Sequence, residues 1–399
     1  LTSYVWVLLI VQICYIILVK IKRRGFKMKK ILTVLVAFVL VVALSACGSS
    51  NTVKFGVIGP LTGDYSMYGI AVENGAKLAA AELNEDGGVL GKDLEIIAYD
   101  SKGDSTEGVN AYKRLRDEDE IHALIGATFS GVTLAVKDFA VEDNMPVLTP
   151  TATNPDVTLD ADNVFRACYT DSYQGSTAAV FAADTLDVTK AAVLYNREDA
   201  YSEGLATAFM AEFDKRGLEY EKFEFGASDD DYSAVLTNIQ AGGFGAVFAP
   251  GYVAEVGAIL TQADTLGLDM PFIGGDGWDG IEADYADVAE GFYFGNHYAK
   301  TDEAAVVQDF VANYTEEFGE APNALAALAY DAVYAMAEAF EEAGDTDSEL
   351  VVAALKDLDF QNAVTGSIKF NADGDPIKAI TIIQVVDGKH VVVDKVAAE

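Results

Sequence analysis

The chain has 399 residues, 51% of them hydrophobic, enough for two folded domains with full cores. Asp and Glu number 63 against 27 Lys and Arg, a formal net charge of -36, and so acidic a surface repels nucleic-acid phosphates. Three cysteines (Cys14, Cys47, Cys168) and three histidines (His122, His297, His390) are scattered, with no zinc-type spacing.

The charge is uneven. Residues 1–46 hold seven of the basic residues and no acidic one, leaving 20 basic against 63 acidic in the rest. Met28-Lys29-Lys30 precedes an apolar run over 31–44 in which only Thr33 is polar, and Ser45-Ala46-Cys47-Gly48 follows. A charged start, a short apolar stretch and a small-residue site predict a signal peptide over 28–46. The run is short of the roughly 20 residues a membrane-spanning helix needs. Leu44-Ser45-Ala46-Cys47 resembles the bacterial lipobox, which implies a diacylglycerol on Cys47 and a short tether over 47–52. A second apolar run over 4–19 lies upstream, and residues 1–27 are expected to be an extension of the gene model, with translation starting at Met28.

From Val53 onward, apolar strands alternate with amphipathic helices. Strands are predicted over 53–58, 94–99, 123–126 and 146–149, with helices over 69–84, 106–118 and 131–142 between them. This is the rhythm of a parallel sheet covered on both faces. It restarts with strands over 191–195, 218–225, 246–250 and 271–274 and helices over 201–216, 232–240 and 253–266. Two such units predict two α/β lobes. Helices over 303–318 and 325–343 have too few strands after them for a third domain and are expected to return to the first lobe. A hairpin over 379–387 and 389–396, turning at Asp387-Gly388, closes the chain.

Ligands of open α/β sheets lie beyond the carboxyl ends of the strands, so the loops there carry the candidates. Ala127-Thr128-Phe129-Ser130-Gly131 leads into a helix, where Ser130 either caps it or joins its free N–H groups in binding an anion. Pro150-Thr151-Ala152-Thr153-Asn154-Pro155 adds hydroxyls on a stiff loop, and the two loops together suit a carboxylate. In the second unit, Tyr201 opens a helix, Tyr252 follows a strand, and Asp276 follows the strand ending at Gly274. Tyrosines make an apolar wall with a polar tip, and a carboxylate in a cleft calls for a cation such as an ammonium. The pattern is an amino-acid site split over two lobes.

Catalysis is not expected. Gly56, Gly59 and Gly63 miss the dinucleotide spacing, Ser130 lacks the surrounding glycines of a hydrolase elbow, and no histidine is placed at an obvious strand end. Asn371-Ala372-Asp373-Gly374-Asp375 lacks the late glutamate of a calcium loop and is read as a turn.

The landmarks Gly59-Pro60-Leu61-Thr62-Gly63, Asn74-Gly75, Gly87-Gly88, Tyr99-Asp100, Thr153-Asn154-Pro155, Phe165-Arg166, Gln174-Gly175 and Tyr201-Ser202-Glu203-Gly204 occur in a specific order. In these the chain, over about residues 53–399, resembles the type I periplasmic binding proteins for branched-chain amino acids, the leucine/isoleucine/valine-binding family of ABC importers. The resemblance implies an α/β fold of two Rossmann-like lobes with parallel-type sheets, joined by three hinge crossovers. Lobe 1 would take residues 53–171 and 298–376, and lobe 2 residues 172–297 and 377–399. It implies that Ser130, Thr151, Ala152 and Thr153 bind a ligand carboxylate, and that Asp276 with Thr153 binds its ammonium. Asp276 stands where branched-chain binders often have Glu. Tyr201 and Tyr252 would form the side-chain pocket with Tyr65 or Tyr68, and Phe129 replaces one of an early cysteine pair without bearing on the pocket. The implied protein is a lipid-anchored monomer that uses no cofactor or metal and hands an amino acid to a membrane permease. A ligand-sensing receptor domain for small amides or amino acids is the alternative.

Overall fold

The computed structural model describes residues 52–397; the expected signal peptide and Cys47 lie outside the described residues. β1 (Thr52–Gly59) runs inside a five-stranded sheet of order β2-β1-β3-β4-β5, completed by β2 (Asp93–Asp100), β3 (Ala123–Gly126), β4 (Val147–Thr149) and β5 (Val164–Arg166). All its pairings are parallel. Val53, Phe55, Val57 and Ile58 are completely buried, as an inner parallel strand flanked by helices on both faces requires.

A second sheet of seven strands has the order β14-β13-β10-β9-β8-β6-β7. It contains β6 (Lys190–Asn196), β7 (Glu219–Phe225), β8 (Ala246–Phe248), β9 (Phe272–Gly274), β10 (Tyr293–Asn296), β13 (Ile380–Val386) and β14 (Lys389–Val396). The first five pair in parallel, and the terminal hairpin adds antiparallel strands at one edge. Its turn is the expected one, with Asp387 at φ 51° and Gly388 at φ 66°. β11 (Asp359–Phe360) and β12 (Ile368–Lys369) form a separate small ribbon.

The first sheet is covered by α1 (Ser66–Glu85), α2 (Ser105–Asp117) and α3 (Ser130–Glu142). The second carries α4 (Asp171–Asp184), α5 (Ala200–Arg216), α6 (Ser233–Ala241), α7 (Val253–Leu266) and α8 (Ile281–Ala289). α9 (Ala305–Phe318), α10 (Ala324–Ala343) and α11 (Ser348–Lys356) return to the first, with α10 packed along α1. The chain therefore passes between the sheets three times: after β5, after β10 and before β13.

Local chemistry sets the helix ends. Asp199 accepts the N–H of Ser202 at 2.8 Å and Thr170 that of Tyr173 at 3.3 Å, while Gly217, Gly267 and Gly344 close their helices in the left-handed conformation. Of the two roles left open for Ser130, it does not take that of cap. It is the first helical residue, the cap position belongs to Phe129, and the Ser130 hydroxyl instead accepts the backbone N–H of Asn154 at 3.2 Å.

Candidate functional site between the lobes

The carboxyl ends of the two sheets face one another across a narrow cavity. Lobe 1 lines it with Tyr68, Thr128, Phe129, Ser130, Thr151 and Leu325, and lobe 2 with Tyr201, Tyr252, Asp276 and Gly277. The lobes also touch directly around it. The Tyr68 hydroxyl donates to Gly277 O at 2.6 Å and accepts from Val253 N at 2.7 Å. Tyr65 donates to Glu255 Oε2 at 3.1 Å, and Asn154 Nδ2 to Ala200 O at 2.8 Å. The backbone N–H of Ala324, in the first turn of α10, donates to Asp279 Oδ2 at 2.5 Å.

The wall is aromatic. Phe129 from lobe 1 and Tyr252 from lobe 2 lie 4.5 Å apart, and Tyr252 stacks on Tyr201 at 5.2 Å. Tyr68 packs against both Phe129 and Tyr252. Tyr65 does not line the cavity and stands behind it, edge-on to the same two rings. Burial pushes the phenols of Tyr68, Tyr201 and Tyr252 well above their ordinary value, so all three are neutral.

The hydroxyl side comes from the loops after β3 and β4. Ser130 at the start of α3 and Thr151 both reach the cavity, and the Thr151 hydroxyl donates to Thr128 O at 2.6 Å. Ala152 and Thr153 are wholly buried and do not line it. The Ala152 carbonyl accepts from Arg166, and Thr153 lies beside Asp171, whose N–H donates to Thr153 O at 2.8 Å. Burial drives the Asp171 carboxyl well above its usual value against the opposing pull of Thr153 and Arg166.

Asp276, after β9, is 5% exposed. Its Oδ1 accepts from Gln174 Nε2 at 2.9 Å and from the Tyr201 hydroxyl at 2.8 Å, and its backbone N–H donates to Gln174 Oε1 at 2.7 Å. His297 Nε2 lies 2.9 Å from Oδ2. Burial raises the carboxyl, but His297, through its hydrogen bond and its charge when protonated, together with the hydrogen bonds from Gln174 and Tyr201, holds Asp276 below the ordinary carboxylate range. The site thus keeps a desolvated anion facing neutral hydroxyls, amides and rings.

One expectation is corrected here. A histidine does sit at a strand end: His297 directly follows β10, a strand that was not among those predicted. Its other nitrogen, Nδ1, has no hydrogen-bond partner, so no nucleophile is joined to it. Phe129 is also more than a replaced cysteine, since it lines the cavity. Thr128, Gly277 and Leu325 line it too, and sequence reasoning singled out none of them; Thr128 and Gly277 lie beside expected residues in strand-end loops, whereas Leu325 comes from a distant helix. The 371–375 loop is a turn whose Asp375 accepts from Arg166 Nε at 2.6 Å and Thr158 Oγ1 at 2.9 Å.

A family model described as periplasmic binding protein matches residues 52–389. A Leu/Ile/Val-binding protein of Rhizobium johnstonii is 33% identical over 332 residues, which cover 81% of this chain and 88% of that protein. Among solved structures, a leucine-binding protein of Thermotoga maritima superposes with a TM-score of 0.82 at 33% identity, covering 86% of this chain and 99% of that one. A branched-chain amino acid transporter substrate-binding protein of Streptococcus pneumoniae, solved with isoleucine, gives 0.80 at 30% identity, covering 87% and 99%.

Proposed function

Since the chain belongs to the periplasmic binding protein family, a family of substrate binders and not of enzymes, we propose that it is the extracytoplasmic substrate-binding component of an ABC importer. Its ligand is a branched-chain or similar aliphatic amino acid, enclosed between the lobes and passed to a membrane permease. One observation carries this reading: the buried Asp276 carboxylate is hydrogen-bonded by Gln174, Tyr201 and His297, pairs with no lysine or arginine among the described residues, and faces hydroxyls at a helix N-terminus across an aromatic wall. The ligand ammonium completes Asp276, and the ligand carboxylate takes the Ser130 and Thr151 hydroxyls and the free N–H groups of α3. Tyr68, Phe129, Tyr201 and Tyr252 enclose the side chain. Ala152 and Thr153 act from behind, by shaping the loop.

The lobes comprise 53–171 with 298–376 and 172–297 with 377–399, in keeping with the three crossovers. Ligand closes them as a monomeric unit. A lipid on Cys47 keeps the protein at the membrane, a reading supported by the Leu44-Ser45-Ala46-Cys47 string. Mass spectrometry of the N-terminal peptide from membranes checks it, and an unmodified Cys47 would sink it.

Calorimetry tests the ligand. Leucine, isoleucine or valine should bind the wild type, and Asp276→Asn should weaken binding by roughly 100-fold, because it removes the charge that faces the ammonium. A protein that ignores all three amino acids would overturn the assignment.

A further inference from the structure

Asp276 meets the cleft as an anion, yet no lysine or arginine among the described residues pairs with it. Its neighbour His297 decides how that is sustained. The His297 side chain is completely buried, and only Nε2 has a polar partner. An ionised carboxylate can only accept, so Nε2 carries the proton. A second proton on Nδ1 would leave a bare buried donor, a costlier arrangement than a bare acceptor nitrogen. The imidazole is therefore neutral. Its ring stacks on Tyr169 at 3.7 Å with the planes 18° apart. Tyr169 lies in the crossover that follows β5, and His297 opens the crossover that follows β10. The charges acting on it are Asp276, Asp279 and Lys378, and burial, the largest influence, keeps its pKa below the ordinary histidine value.

We propose that His297 is a positioning residue of the ligand site: as a neutral Nε2–H donor it keeps Asp276 ionised and aimed at a ligand ammonium, and its stack on Tyr169 ties that carboxylate to two of the three crossovers. The proposal rests on the amino-acid reading above. It makes His297 a determinant of amine recognition although it does not line the cavity.

The test pairs two variants with two probes. His297→Phe keeps a ring against Tyr169 and loses the donor, whereas His297→Gln keeps a donor and loses the stack. The probes are leucine and 4-methylpentanoate, which is leucine without its amine. In His297→Phe the affinity for leucine should fall by roughly 10- to 100-fold while that for 4-methylpentanoate does not fall, and His297→Gln should recover much of the loss. In an Asp276→Asn background, His297→Phe should cost little more, since the two act as one unit. Equal weakening of both probes, or no change in either, overturns the proposal. The ligand-free wild type supplies an independent measurement, which stands if leucine fails to bind or His297→Phe fails to fold. ¹⁵N shifts of His297 should report the Nε2–H neutral form without titration between about pH 5 and 8. A histidine that carries its proton on Nδ1, or that titrates in that window, refutes it.

Discussion

Arg166 illustrates how a single residue can build a site it never touches. It is fully buried, and all its nitrogens are used. Nε donates to Asp375 Oδ1 at 2.6 Å, Nη1 to the carbonyls of Ala152 and Asn154 at 2.9 Å each, and Nη2 to Pro155 O at 3.2 Å and Thr158 Oγ1 at 2.8 Å. The planar fork therefore clamps the loop that carries Thr151. Arg166→Met should cost about 3–5 kcal/mol in urea unfolding, because it strands Asp375 and several carbonyls. A loss below about 1 kcal/mol would show that the loop holds itself. Phe165-Arg166 was visible in the sequence as a landmark, but nothing local to it reveals a buried guanidinium. Its partners lie 8 to 209 residues away along the chain.

At the scale of elements, helices with a clear apolar stripe and strands with a clear apolar run were legible, the three- and four-residue β3, β4, β8 and β9 included, and weakly patterned segments were not. α1, α5, α7 and α10 were foreseen to within a few residues of their observed ends. β5, of three residues, and β10, of four, went unforeseen, although β3, β4, β8 and β9 are as short. α4 buries Asp171, Gln174 and Thr177 alongside alanines and Phe181, so no apolar stripe marks it. The α1–α10 contact shows what periodicity leaves out. A Cβ added at Gly75 would stand 2.1 Å from the Ala326 carbonyl oxygen, so the helices approach through the missing side chain. Gly75→Ala should force them apart and destabilise the fold by about 1–3 kcal/mol, despite alanine's better helix propensity. A more stable variant in chemical denaturation would contradict the close approach.

For the whole molecule, burial of an acid beside the cleft sets a dependence on pH. Glu255 on α7 accepts from Tyr65 of the opposite lobe, and burial, its largest influence, pushes its carboxyl up from 4.5 to about 7. The folded state then holds a proton that the unfolded chain has released. The stability this contributes is fully present below about pH 4.5 and is lost as pH rises through about 7. The effect is at most about 3 kcal/mol. Glu255→Gln should flatten the difference in unfolding free energy between pH 5 and pH 8, and an unchanged slope would place the titration elsewhere. By itself the sequence determined the alternation of strands and helices, hence the two α/β lobes, and it placed candidates at strand ends, because both follow from patterns a few residues long. Only the tertiary structure decided that Tyr68 and not Tyr65 lines the cavity, that Phe129 meets Tyr252, and that Gln174 and His297 hold Asp276. Gln174 lies 102 residues from Asp276 along the chain, and Phe129 is farther still from Tyr252. Such contacts depend on how sheets and crossovers bring remote segments together, a relation that no local periodicity encodes.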